Sequence, residues 1–350
     1  MNEVYFKKID LPQLLLNPAL IPDILRKVDF GSRLKKNDVV GMKVHFGEKG
    51  NKSYINPKIL LPLVKYLKKI PTLPFVFDTN TLYRGERTNA IDHINIAQQH
   101  GFGKLNVPII IGDGVRGNNY IEVEINKKHF PRCFLAPVLD DMDFMVVLSH
   151  FTGHMLSGFG AAIKNIAMGC ASRRGKLAQH SVVCPRIKKE KCIACGVCAQ
   201  YCPAGAITKV DDVFFINSEQ CIGCAQCISV CPQGAVKIEW SEEYGEIGEK
   251  IVEYAYAVTQ KVPCVYFNFC LYITKECDCM NKESEGFVKD LGVLFGWDPV
   301  SVDKASIDLL LRQEGNDCLR AAHPEINYLH HLHYAERIGL GSLEYTLIKL

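Results

Sequence analysis

Eight of the chain's sixteen cysteines fall into two copies of one pattern. The first copy is Cys192-x2-Cys195-x2-Cys198-x3-Cys202-Pro203, and the second is Cys221-x2-Cys224-x2-Cys227-x3-Cys231-Pro232, offset by 29 residues throughout. Three thiolates spaced C-x2-C-x2-C wrap a short loop around three irons of one cubane, with backbone amides facing the sulfurs. The closing cysteine of such a run ligates the other cluster when two runs occur in tandem. The spacing therefore assigns Cys192, Cys195, Cys198 and Cys231 to one [4Fe–4S] cluster, and Cys221, Cys224, Cys227 and Cys202 to a second. Paired zinc sites are the rival, because C-x2-C also opens zinc ribbons. Four cysteines per copy, the proline after the fourth and the duplication itself favour iron–sulfur.

A second group of residues has the right chemistry but no diagnostic spacing. Cys277 and Cys279 flank Asp278 in a polar stretch. Three readings stay open for them: ligands of a metal or third cluster, a redox dithiol, or small buried side chains. His150 and His154 are four apart, so on a helix they would share a face and could chelate a metal or orient an anion. Cys170 and His180 are candidates to complete such a site. Lys164, Arg173, Arg174 and Lys176 offer positive charge for a carboxylate or phosphate, with Lys176 read as a solvated loop residue. Cys133, Cys264, Cys270 and Cys318 lie in apolar or helical settings and read as core; Cys184 stays undecided. His330, His331 and His333 read as a polar helix face, and Asp303 as a residue that starts or caps a helix.

The elements that must position these residues are short apolar strands alternating with amphipathic helices. Strands are expected at 39–44, 75–77, 109–111, 145–148, 262–267 and 292–295, and helices at 57–69, 90–101 and 245–260. This alternation predicts an α/β fold: a mostly parallel sheet with helices on both faces, interrupted by an inserted α+β two-cluster module. Each strand runs into a polar, glycine-rich loop, carrying in turn His45, Asp78 and Arg84, Asp113, His150 and His154, the Cys277 region, and Trp297-Asp298. Ligands of open α/β sheets bind beyond the carboxyl ends of strands, so all six loops are expected to gather at one functional edge, with His45, Asp78 and Arg173 as cofactor-binding candidates and His150, His154 and Lys164 as catalytic ones. The expected organisation is an α/β domain in two parts, residues 1–185 and 240–350, around an insert over 186–239.

Bulk properties exclude several classes. The chain has 350 residues, 48% of them apolar, and 41 basic against 38 acidic side chains leave a net charge of +3. That balance gives no footprint for nucleic acid or a membrane surface, and no apolar run is long enough to span a bilayer. The first residues do not read as a signal peptide, so a cytoplasmic protein is expected. In that compartment sixteen cysteines mean metal or redox chemistry rather than disulfides. No G-x-G-x-x-G follows a strand, so a nicotinamide or flavin fold is not indicated.

The duplicated cysteines resemble a bacterial-type two-cluster ferredoxin domain over about residues 186–239. Beyond it, GMKVHFGEKGN (41–51), HFTGHMLSGFGAAIKNIAMGC (150–170), the C-D-C pair, GWDPVSVDKAS (296–306) and IGLGSLEY (338–345) resemble the DUF362 family of iron–sulfur centre proteins. The resemblance runs over nearly the whole chain and carries no established reaction. The stretch from His154 through Gly158 and Gly160 to Lys164 is also similar to the lysine loop of nickel-pincer lactate racemases, but Ala161 and Ala162 stand where that loop has glycines. The resulting expectation is an oxidoreductase or enzyme-maturation electron donor with two [4Fe–4S] clusters, a third metal or cluster being open at Cys170, Cys277 and Cys279. The alternative is a non-catalytic electron carrier or scaffold whose α/β domain docks a partner enzyme. A redox partner protein is expected and a small-molecule substrate is allowed; oligomeric state is open.

Overall fold

A computed structural model describes residues 2–83, 85–180, 184–238, 244–279 and 284–350. Arg84 and the expected 239/240 boundary lie outside the described residues. The body is built on an eight-stranded sheet of β1 (Asn2–Lys7), β2 (Val39–Val44), β3 (Leu73–Asp78), β4 (Ile109–Ile111), β5 (Phe144–His150), β6 (Cys264–Cys270), β7 (Gly292–Gly296) and β8 (Tyr345–Lys349). Their order across the sheet is β8-β1-β7-β6-β5-β2-β3-β4. Only β7 runs against its neighbours; all the others point the same way.

Continuous apolar strands are explained by burial on both faces. Along β2, Val40, Met42 and Val44 pack into one layer with helices Leu11–Leu16, Leu20–Lys27, Pro57–Lys69 and Ala90–Gln99. On β5, Met145 and Val147 face the opposite layer, shared with helices Ala162–Gly169, Tyr244–Thr259, Pro299–Glu314 and Tyr328–Arg337. The helix ends follow local chemistry. Asn56 accepts the Lys58 N–H ahead of Pro57, and Lys68 and Lys69 occupy the last turn of that helix. Asp298 accepts from Val300 N and Ser301 N to start Pro299–Glu314, which ends at Gly315 with φ 71°. Asp303 caps a different helix from its own: its carboxylate accepts Ala162 N at 2.9 Å and Ile163 N at 3.0 Å. No helix among the described residues is long and apolar enough to cross a membrane.

Three expectations change. Because β7 is antiparallel, Trp297 and Asp298 leave it at the opposite edge of the sheet from His45, Asp78 and His150. The edge strand β8 pairs with β1, Asn2 with Tyr345 through Phe6 with Lys349, and the half-buried sequences of both lack the apolar run that marks the other strands. Finally, His150 and His154 do not share a helix face. Thr152–His154 and Gly158–Gly160 form a tight hairpin, turned at Gly158 with φ 78°.

Residues 186–238 leave and rejoin the body through one neck, where Arg186–Ile187 pairs antiparallel with Val236–Lys237. Inside are a second hairpin, Ile207–Val210 with Val213–Ile216, and two short helices, Val197–Gln200 and Gln226–Val230. The segment's small core includes Leu82 from the loop after β3 and Leu177 from helix Arg173–His180, and Arg116 lies over the Tyr201 ring at 5.1 Å. It therefore seats on the carboxyl edge of the sheet.

Candidate functional site

The eight duplicated cysteines are all unbridged, and they line two separate pockets. One is bordered by Cys192, Cys195, Cys198 and Cys231. The other is bordered by Cys202, Cys221, Cys224 and Cys227. Each group draws three cysteines from one copy and the fourth from the other. Both loops turn through left-handed residues at matching positions: Ala194 (φ 53°) and Gly196 (φ 75°) in the first, Gly223 (φ 67°) and Ala225 (φ 58°) in the second. Alanine pays a steric cost for that conformation, and each of the two loops keeps one alanine in it. The closing cysteines also accept N–H groups, Ala206 N to Cys202 Sγ at 3.3 Å and Ala235 N to Cys231 Sγ at 3.2 Å. Sulfurs crowded together and approached by amides suit a cationic iron–sulfur core, in agreement with the donor set. The Cys224 group is the one nearer the body: Arg173 and Arg174 lie within its electrostatic reach.

At the sheet edge the C-D-C loop is fixed by its acid. Asp278 accepts from Ser53 Oγ at 2.6 Å and pairs with His150 Nδ1 at 2.9 Å, while its backbone carbonyl accepts Glu48 N at 3.2 Å. The other His150 nitrogen, Nε2, reaches the Leu271 carbonyl at 2.9 Å. Burial works against charge on this imidazole, but Asp278 and that carbonyl outweigh it and raise its pKa above the ordinary value. Burial would likewise raise Asp278, yet His150, His45 and the Ser53 hydroxyl hold it down at about 2. His150 is thus an ion-pair partner with both nitrogens engaged.

The flanking cysteines Cys277 and Cys279 and His154 place their donor atoms within 4.8 Å of one another, a group that could hold a metal ion, beside the clamp that His150 and Ser53 make on Asp278. In the structure the two cysteines are joined as a disulfide, with Cα atoms 5.3 Å apart. The close approach depends on Gly153, since a Cβ there would lie 2.3 Å from the Lys275 carbonyl oxygen. His154 Nδ1 accepts the backbone N–H groups of Leu156 and Ser157, each at 3.2 Å. Burial, then Lys164, His180 and His323, push its pKa well below the ordinary value, so the ring is neutral. Lys164 has no hydrogen-bond partner among the described residues. Burial pulls its pKa down to about 8, with Asp278 opposing and Arg87 and Lys43 reinforcing. Cys170 is not in this group; its thiol packs on Met145 Sδ in the core, for which the apolar IAM run before it was the unread sign.

Behind the clamp lies a buried charge network that sequence reading largely missed. Lys43, in the middle of β2, bonds Asn165 Oδ1 at 2.8 Å and pairs with Asp78 at 3.0 Å. Asp78 also has Arg87 at 3.6 Å, and Arg87 pairs with Glu48 at 3.3 Å. Burial alone would raise Asp78; Lys43, His93, His45 and Arg87 outweigh it and hold the carboxyl far below its usual range. A lysine interrupting an otherwise apolar, doubly buried strand was the available signal. His45 is neutral for reasons of burial and the nearby Arg87, and its Nδ1 accepts Gly47 N at 3.1 Å. Arg173, fully buried, donates to the Thr88 carbonyl and lies beside Asp113, whose pKa burial lifts to about 6. Lys176 is buried rather than solvated and bonds Thr79 Oγ1 and the Ala171 carbonyl. Two of the C-terminal histidines are structural: His330 meets Glu249 at 3.0 Å and His331 stacks on Phe159.

No curated protein matches the chain. Among solved structures, a Thermotoga maritima protein from a structural genomics programme is similar with a TM-score of 0.46 and 9% identity, covering 87% of this chain and 59% of that one. The lactate racemase apoprotein of Thermoanaerobacterium thermosaccharolyticum is similar with a TM-score of 0.38 and 13% identity, covering 78% of this chain and 51% of that one. The chain thus spans little more than half the length of either structure. The family model described as a domain of unknown function, DUF362, matches residues 40–308, and with that span inside it the chain belongs to the DUF362 family.

Proposed function

We propose that this chain is an iron–sulfur protein that exchanges single electrons with a site at the carboxyl edge of its sheet, as an oxidoreductase or as an electron donor in enzyme maturation. The observation that carries the reading is the cross-paired grouping of the eight cysteines around two pockets, with the same left-handed turns in each copy. Cys192, Cys195, Cys198 and Cys231 would hold one [4Fe–4S] cluster, and Cys202, Cys221, Cys224 and Cys227 the other. Bound clusters of this kind supply one-electron redox chemistry at low potential. The chain's own contribution is placement. Leu82, Leu177 and Arg173 set the Cys224 group against the body, on the edge where His45, Asp78, Lys164 and the C-D-C loop converge. The expected setting is a reducing compartment, with a redox partner protein on the exposed side of the cysteine-rich segment.

Iron and acid-labile sulfide measured on anaerobically purified protein test the reading. About eight of each per chain, with electron paramagnetic resonance signals of reduced cubanes after dithionite, is the expected result. Two equivalents of zinc with negligible iron would refute it.

A further inference from the structure

The carboxyl edge holds a pair of sulfurs whose role the cluster reading leaves open, and the hydrogen bonds around His154 decide between the alternatives. A histidine that ligates a metal through one nitrogen nearly always donates its other N–H to a carboxylate, carbonyl or water. His154 does the reverse. Its Nδ1 lies 2.9 Å from Ser157 Oγ, which also reaches the Phe159 carbonyl at 2.7 Å. The backbone N–H groups of Leu156 and Ser157, however, both point at this nitrogen at 3.2 Å and leave its lone pair, not a proton, facing them. A neutral ring with an accepting Nδ1 carries its proton on Nε2, and a ring nitrogen of His154 lies within 4.8 Å of the sulfurs of Cys277 and Cys279. An Nε2–H cannot bind a cation, but it is well suited to donate a hydrogen bond to a thiolate.

We infer that Cys277 and Cys279 form a two-electron dithiol–disulfide centre in which the Nε2–H of His154 hydrogen-bonds the thiolate released when the bond opens. The inference rests on the reading of the carboxyl edge as the site that electrons reach. In the reductive direction the Sγ–Sγ bond breaks as two electrons enter one at a time from a low-potential one-electron donor. One proton is taken up as one thiol and one thiolate result, and a second when that thiolate is protonated. The surroundings suit both forms. Asp278, between the two cysteines, is neutralised by His150, so the loop brings no net negative charge to a thiolate. Its three anchors, the His150 ring, the Ser53 hydroxyl and the Glu48 amide, keep the backbone in place whether or not the sulfurs are joined. Lys164, cationic at neutral pH, lies close enough to act on His154 and Asp278. Thiolates are the reactive species in such exchange, and groups that stabilise them set its rate.

The test is differential alkylation of anaerobically purified, cluster-loaded protein in dithiothreitol buffers of stepped redox ratio, read peptide by peptide by mass spectrometry. The expected result is that Cys277 and Cys279 gain and lose label together, as one two-electron couple. After reduction, His154→Ala slows their alkylation at pH 7 about tenfold and moves the pH midpoint of the rate upward, because the thiolate loses its donor. His154→Gln, which keeps an N–H, restores part of both effects. Two cysteines that stay fully alkylatable in the most oxidising buffer would overturn the inference in the wild-type protein alone, whatever the variants do. So would a stoichiometric metal that blocks alkylation until a chelator removes it. Iron and sulfide are measured on the same sample, so a shortfall of iron counts against the cluster reading, while the labelling of this pair is decided independently.

Discussion

The two cysteine-bearing regions of this protein are organised in opposite ways. In residues 186–238 the sulfurs are placed by local sequence: each loop carries its own left-handed turns, and the copies superimpose their roles residue for residue. At Cys277 and Cys279 one local bond, Thr274 Oγ1 to the Glu276 carbonyl, is joined by contacts from distant segments. The pair is held by Glu48 and Ser53 on the loop after β2 and by His150 at the end of β5, and is met by His154 from a hairpin. A ligand set written into one loop can be copied as a module, whereas a site assembled from strand ends depends on the whole sheet. Damage should therefore be local in the first region and global in the second.

The largest effect expected from breaking this contrast is in the module. On the proposed reading, Cys224→Ser should remove one of the two clusters, lowering iron by about four per chain while leaving the other in place. Iron analysis with quantitative paramagnetic resonance checks it, and loss of all iron would show that the two copies are not independent. Next comes the clamp. His150→Gln leaves the buried Asp278 carboxylate without its counter-charge, a change that costs roughly 3–5 kcal/mol in buried pairs. The pH dependence has a definite sign. His150 is raised above its unfolded value near 6.5, so its contribution is complete below that pH and is lost as pH rises through the folded value. Asp278, held at about 2, contributes above its unfolded value and loses that contribution as pH falls toward 2. The gap between wild-type and variant unfolding temperatures should thus be widest around pH 5–6 and narrow in alkali; a gap that grows with pH would contradict the pairing.

The smallest effect sharpens the comparison between the two copies. Ala225 (φ 58°) stands where the first copy has Gly196 (φ 75°). Ala225→Gly should relieve left-handed strain and stabilise the loaded protein by roughly 0.5–1 kcal/mol, and Gly196→Ala should cost about as much. Equilibrium unfolding of the iron-loaded protein reads both. Equal signs for the two variants would mean that the loops are not conformational equivalents.

Much of the fold could be read from the chain because its main signals are local. Ile109–Ile111 is an uninterrupted apolar run, Val39–Val44 is one broken only by Lys43, and Asn56-Pro57 announces its helix. The direction of β7 could not be read, because an antiparallel strand buried on both faces has the same apolar sequence as a parallel one. That one reversal moved Trp297 and Asp298 from the site to the far edge. At the site, residue types were visible but partnerships were not. His150 looked like a ligand because its counter-ion lies 128 positions away, and Lys176 looked solvated because Thr79 and Ala171 cover it only in three dimensions. Asp278 was visible only as an acid between two thiols, and its role as the clamp needed Ser53 and His150 beside it.

The narrow neck at Arg186–Ile187 and Val236–Lys237 has a consequence for how the protein comes apart. Closing a loop of about fifty residues costs on the order of 3–4 kcal/mol of chain entropy. Against that the segment has a two-residue ladder and a core that includes Cys198 and Cys227 and borrows Leu82 and Leu177 from the body. Units of this size without a large core depend on metal for their fold. If its cysteines hold metal as proposed, the segment should open as its own cooperative unit when they are emptied, while the sheet, whose strands on either side pair directly from Cys264 with Met145 to Phe269 with His150, should stay closed. Hydrogen exchange and proteolysis then read metal content as a local melting event, with cleavage confined between the neck strands.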